Sequence, residues 1–148
     1  MKLVSSIDAV ARSRLVTISC DALLVDAAKL LSAKQISLVV VCNYDGLMVG
    51  VITKTNLVQE IGRCGESACM KAAADVMTRD VTYCRSTDCL PDVLSMMGKG
   101  GFVHIPVVDE HCRPLGVVNA RDALRALMAE EKYEASLLRD YVMGVGYR

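Results

Sequence analysis

Apolar residues recur at Leu24, Ala27, Ala28 and Leu31, the i, i+3, i+4, i+7 spacing that lays one stripe along an amphipathic helix. The same spacing returns at Leu90, Val93, Leu94 and Met97, with Pro91 suited to a helix first turn, where a missing N–H costs nothing. Each stripe leads to a short apolar run, Leu38-Val39-Val40-Val41-Cys42 and His104-Ile105-Pro106-Val107-Val108. Such runs read as strands buried on both faces. Turn residues follow, Asn43-Tyr44-Asp45-Gly46 and Asp109 to Pro114, and then second strands at Leu47–Ile52 and Leu115–Val118. Helices begin near Lys54 and Ala120, and short strands at Leu15–Ile18 and Val81–Cys84 precede the first helices.

The two series coincide when the chain is slid on itself by 66 residues, which sets Val10 on Val76, Leu24 on Leu90, Asp26 on Asp92, Val41 on Val107 and Gly50-Val51 on Gly116-Val117. The expected fold is α+β, with two repeats of strand, helix, strand, strand, helix. Residues 8–62 form the first repeat and 75–128 the second, with 63–74 as a small-residue linker. A C-terminal helical extension, 129–148, ends near Gly144, and Tyr133, Leu137 and Tyr141 share one of its faces. Gly98-Lys99-Gly100-Gly101 follows a helix and lacks the Lys-Ser/Thr of a phosphate loop, so it reads as a helix-to-strand turn.

Composition narrows the function. Hydrophobic residues make up 53% of 148, with one Phe and no Trp, so the core is aliphatic and the apolar excess suits a buried sheet or a self-association surface. Seventeen basic residues balance seventeen acidic ones, which disfavours nucleic acid as the main partner. No apolar run is long enough to span a membrane, and Asp8, Arg12 and Arg14 interrupt the N-terminus where a signal peptide is apolar, so the expected location is cytoplasmic. Seven cysteines without a C-x-x-C pair, and two histidines off ligand spacing, read as free thiols in a reducing compartment with no metal site. No catalytic constellation is present: no G-x-S-x-G, no H-E-x-x-H.

Two copies of one motif then carry a resemblance. Gly50-Val51-Ile52-Thr53-Lys54-Thr55-Asn56-Leu57 and Gly116-Val117-Val118-Asn119-Ala120-Arg121-Asp122-Ala123 are similar to the closing motif of a CBS domain. His104 to Asp109 and Asp75-Val76-Met77-Thr78 resemble further parts of that repeat. The chain resembles a stand-alone, bacterial-type tandem CBS pair over roughly residues 8–128. The resemblance implies two repeats packed through their sheets with pseudo-two-fold symmetry, a homodimer of such modules, and two clefts for an adenine nucleotide (AMP, ATP, NAD(H) or S-adenosylmethionine). No cofactor is required; the nucleotide is a regulatory ligand. Physical chemistry agrees, since an acid on a helix first turn can accept ribose hydroxyls while the helix N-terminus faces phosphate.

Carried over by the resemblance, the better cleft uses Asp122 for ribose, Asn119, Arg121 and His104 near phosphate, and Ala22, Ala27, Ile36 and Ser37 against adenine. The weaker cleft sets Asn56, Thr53 and Thr55 against Asp88, Val93, Phe102 and Val103. Asn119 replaces a usual Thr/Ser, Asn56 a usual Asp, and Val103 a frequent basic residue, so the resemblance implies unequal clefts, with the Asn56 cleft the weaker or empty. The sequence leaves two competing readings: an interaction module with vestigial clefts, or a thiol redox sensor.

Overall fold

The computed structural model describes residues 2–142, and every side chain within them except those of Cys69, 133–138 and 140–142. In the first half, β1 (Thr17–Ser19) pairs parallel with β2 (Leu38–Cys42), which pairs antiparallel with β3 (Met48–Thr53). In the second half, β4 (His104–Val108) pairs antiparallel with β5 (Pro114–Asn119). The registers repeat at the same offset. Leu38 faces Thr53 as His104 faces Asn119, and each hairpin slips at one matching step, after Val41 and after Val107.

The helices fall where the stripes predict. α2 (Leu24–Leu31) buries Leu24, Ala27 and Leu31; α5 (Leu90–Gly100) buries Leu90, Val93 and Met97 and ends on Gly101 at φ 72°, a left-handed C-terminal residue. α3 (Lys54–Cys64) and α6 (Ala120–Val142) follow the second strand of each hairpin. The Tyr133, Leu137 and Tyr141 side chains and Gly144 lie outside the described residues.

One expected strand is nearly lost. Val81–Cys84 keeps a single parallel bridge, Cys84 to Val107. In the first half the ladder is fed by Val40, whose N–H donates to Val16 O at 2.9 Å. Pro106 stands at the equivalent position and has no N–H to give, so the second ladder stops short.

Each half carries its own aliphatic core, and a third cluster of Leu38, Val40, Met48, Val51, Val108 and Val117 joins the two sheets. Burying a Leu, Ile or Met contributes about 1.5–3 kcal/mol, so these clusters need no large aromatic. The lead-in segments are exchanged between the halves. Val4 and Ile7, just before α1 (Asp8–Ser13), pack into the second core, while α4 (Ala73–Val76) sends Ala73 into the first. Equivalent backbone bonds fasten them: Val4 N–H to Asp88 O at 2.9 Å and Ala73 N–H to Ala22 O at 2.7 Å.

The expected linker is folded. Residues 63–74 hold the end of α3, a 3-10 turn at Gly65–Met70 and the start of α4, and Ala68 and Ala73 are 1% and 0% exposed. Exchange also explains the motif glycines. A Cβ at Gly50 would meet Thr78 O at 2.9 Å, and one at Gly116 would meet the Ala11 carbonyl carbon at 2.9 Å.

Candidate functional site

Thr53 ends β3 with extended backbone and caps α3. Its Oγ1 accepts from Asn56 N–H at 3.3 Å, and Asn56 Oδ1 accepts from Thr53 N–H at 2.9 Å, a reciprocal capping box. Asn56 Oδ1 also accepts from Thr53 Oγ1 at 3.1 Å, and Asn56 Nδ2 donates to Thr78 Oγ1 at 3.2 Å. The amide is therefore largely committed to ordering the helix start and joining it to the lead-in of the second half.

Beside this corner lies a cavity of about 300 Å³ between the two halves. Thr53, Thr55 and Asn56 line one side, Phe102, Val103 and His104 another, with Leu38 and Val51 from the first sheet and Ile105 and Pro106 from the second. Thr78, Asp80, Val81 and Thr82 complete the wall. Its volume is at the lower end of the roughly 300–1,000 Å³ typical of small-molecule sites, and its mix of apolar surface with a few convergent polar groups is theirs as well. His104 Nδ1 is buried here without a hydrogen-bond partner among the described residues, and burial holds the imidazole pKa below its ordinary value.

The equivalent corner at Asp122 is built differently. Asn119 Oδ1 accepts from Arg121 N–H at 2.9 Å, so Asn119 caps α6 by itself. Asp122, 8% exposed, turns to Arg14. Arg14 Nε and Nη2 donate to its two oxygens, the second at 2.9 Å, and Arg14 Nη1 donates to Gln35 O at 3.0 Å. The hydrogen bond to Asp122 holds the guanidinium above its ordinary value. A bidentate pair of this kind uses the acceptor positions that a ribose diol needs.

Of the expected residues, the structure brings Thr53, Thr55, Asn56, Phe102 and Val103 together around the open cavity. His104, expected with Asp122, lines that same cavity. Three expected walls are buried and outside the lining of this cavity: Ala27 (0% exposed) and Val93 (3%) on the inward stripes of α2 and α5, and Ile36 (5%) in the segment before β2. Asp88 is exposed and accepts from Arg85 N–H at 2.8 Å in a turn, outside the cavity lining. Ala22 and Ser37 are half-buried, and Arg121 is exposed, lining a groove with Leu124 and Met128 along α6. Sequence reasoning missed Arg14 and the Thr78–Thr82 wall. A signal existed: the 66-residue offset lays Arg14 on Asp80 just as it lays Asn56 on Asp122.

The remaining chemistry is quiet. Among the described residues no cluster of His, Cys, Asp and Glu is placed to hold a metal. Cys84 is 2% exposed, and burial pushes its thiol up to about 12; burial also raises Cys42. Neither thiol is set up as a nucleophile. No described helix is long and apolar enough to cross a membrane.

The profile of the CBS domain matches residues 4–63 and 73–129. The chain belongs to the CBS-domain family. Its hairpin–helix corners are the two closing motifs of that repeat, packed as a tandem pair.

An uncharacterized 17.7 kDa protein of Acidianus ambivalens is 22% identical over 96% of this chain and 85% of its own length. The homoserine O-acetyltransferase of Methanobrevibacter ruminantium is 28% identical over 76% of this chain, but the match covers only 22% of that enzyme. Among solved structures, a CBS-domain containing protein of Agrobacterium tumefaciens superposes with a TM-score of 0.67 at 29% identity, over 76% of this chain and 83% of its own. The CBS domain pair of the protein MJ0100, in complex with 5′-methylthioadenosine and S-adenosyl-L-methionine, reaches a TM-score of 0.74 at 24% identity, over 88% and 98%.

Proposed function

We propose that this CBS pair is a non-catalytic regulatory module that binds an adenosine-containing ligand in the cavity beside Asn56. The observation that carries the reading is the cavity itself: an apolar slot between the repeats, open at a capped helix start, with an unpartnered buried imidazole nitrogen inside it. An adenine stacked against Phe102, Val81 and Val103 would leave its ribose near the threonines of the β3–α3 corner. The complex of MJ0100 with adenosine derivatives supports the ligand class. This reading moves the main site from Asp122 to the Asn56 side, because Arg14 holds Asp122.

A second copy of the chain is the proposed partner. Val58 and Ile61 on α3 and Leu124 and Met128 on α6 are all at least half exposed, an apolar surface that two-fold pairing would cover. The cytoplasm is the proposed location.

Mass spectrometry of ligand released from freshly purified protein tests the function, with thermal shifts against adenosine, 5′-methylthioadenosine, S-adenosylmethionine, AMP, ATP and NAD. A ligand that binds the native fold at a hundred times its Kd adds about 2.7 kcal/mol and raises the melting temperature visibly. No shift with any compound, and no released nucleoside, leaves the interaction-module reading, which the Arg14–Asp122 pair favours. Light scattering on the same preparation reads the dimer; a particle of 16.0 kDa at micromolar concentration refutes it.

A further inference from the structure

Within the reading of the cavity as an adenosine site, we infer that this chain selects a nucleoside without phosphate, neutral or positively charged at its 5′ end. Asp80 is the determinant. Among the described residues of the lining it alone carries a formal charge, with no lysine or arginine there. It is exposed and lines the cavity wall, where an occupant would meet its carboxylate.

Three further observations point the same way. Val103 lines the wall and brings no charge to it. Arg79, next to Asp80, donates from Nη2 to Ala74 O at 3.0 Å and is not part of the lining. At the N-terminus of α3, the other natural place for an anion, Thr53 Oγ1 takes the Asn56 N–H, one of the first-turn donors. His104 does not make up the deficit, because burial opposes its protonation. A phosphate entering here would therefore meet a carboxylate and no cation. The same carboxylate would attract a sulfonium or ammonium group and would tolerate a neutral thioether.

Isothermal titration of the full chain with adenosine, 5′-methylthioadenosine, S-adenosylmethionine and AMP, at fixed salt, decides it. The expected result is that adenosine binds at least about tenfold tighter than AMP, the order of effect for like charges several ångströms apart in a partly solvated cleft. In Asp80→Asn that gap should close to within about threefold, and Val103→Arg should bring AMP level with adenosine or ahead of it. S-adenosylmethionine, whose sulfonium the carboxylate attracts, should weaken in Asp80→Asn, while neutral 5′-methylthioadenosine should change little. AMP binding the parent as tightly as adenosine, or an adenosine-to-AMP ratio that Asp80→Asn leaves unchanged, overturns the selectivity while the nucleoside reading stands. Failure of all four compounds on parent and variants overturns both.

Discussion

The two helix starts occupy equivalent places in the repeats and do opposite things. At the first, Asn56 turns back on Thr53 and leaves a cavity with Asp80 in its wall. At the second, Asp122 turns away from its own helix and clasps Arg14. The charge has been swapped between partners: acid on the helix and base on the lead-in at one corner, amide on the helix and acid on the lead-in at the other. An acid on a helix first turn is therefore not a free ligand group in itself. What it does depends on the residue that the exchanged lead-in delivers to it.

The strongest way to break the comparison is to release the clasp. Arg14→Ala leaves the 8%-exposed Asp122 carboxylate without its partner. Removing one member of a fully buried pair costs about 3–5 kcal/mol; Arg14 is partly solvated, so about 2–3 kcal/mol is expected. For a chain of this size the melting temperature should fall by about 5–10 °C. A double-mutant cycle with Asp122→Asn should show strong coupling between the two sites. A melting temperature within a degree of the parent would mean that the pair holds nothing together.

The glycines test the exchange that both corners share. At Gly116 the nearest atoms to a new Cβ are the Ala11 carbonyl carbon, Cβ and oxygen, at 2.9, 3.0 and 3.0 Å. At Gly50 two of the three are Met77 side-chain atoms, which can move, and one is Thr78 O at 2.9 Å. Overpacking against fixed atoms costs about 1–3 kcal/mol. Gly116→Ala should sit near the upper end and Gly50→Ala near the lower, by urea denaturation. Equal losses would show that the Met77 side chain is as unyielding as backbone.

Periodicity carried the sequence reading a long way, because helix stripes and β-branched runs are local signals. α2, α5 and both hairpins stand where it predicts. What it missed is non-local. Arg14 and Asp122 are 108 residues apart, and no spacing rule joins them. The exchanged lead-ins are invisible for the same reason, so nothing in 63–74 announces that Ala68 and Ala73 are core. The short ladder at Val81–Cys84 was legible in principle, since Pro106 sits where Val40 donates. Ala27 and Val93 were legible as core: the stripe that defines their helices assigns them to the interior. Thr78 and Asp80 required only that the repeat offset be extended upstream from the motif to Arg12 and Arg14.

The smallest expected effect sharpens the comparison at a single ring. His104 opens β4 where Leu38 opens β2, and both line the same cavity. Burial holds the His104 pKa below 6.5 in the folded chain, while the unfolded chain titrates near that value. As pH falls below about 6.5, the unfolded state takes up a proton that the folded ring resists. The stabilisation is thus fully present above 6.5 and is lost progressively as pH drops from there towards the folded value. Asp109 and Glu60, whose carboxyls are held below the ordinary range chiefly by hydrogen bonds from the Arg113 backbone N–H and from Lys71, lose their contributions only at lower pH. The window from 6.5 to about 5 is consequently where a change at His104 should be read. His104→Leu copies the first repeat into the second. Its melting temperature should track the parent above pH 7.5 and gain on it steadily from pH 6.5 down to 5. Two parallel curves over that range would mean that the ring takes up its proton as readily folded as unfolded. The same variant also removes the unpartnered Nδ1, so adenosine affinity measured at pH 8, where the stability difference is absent, reports whether that nitrogen meets the ligand.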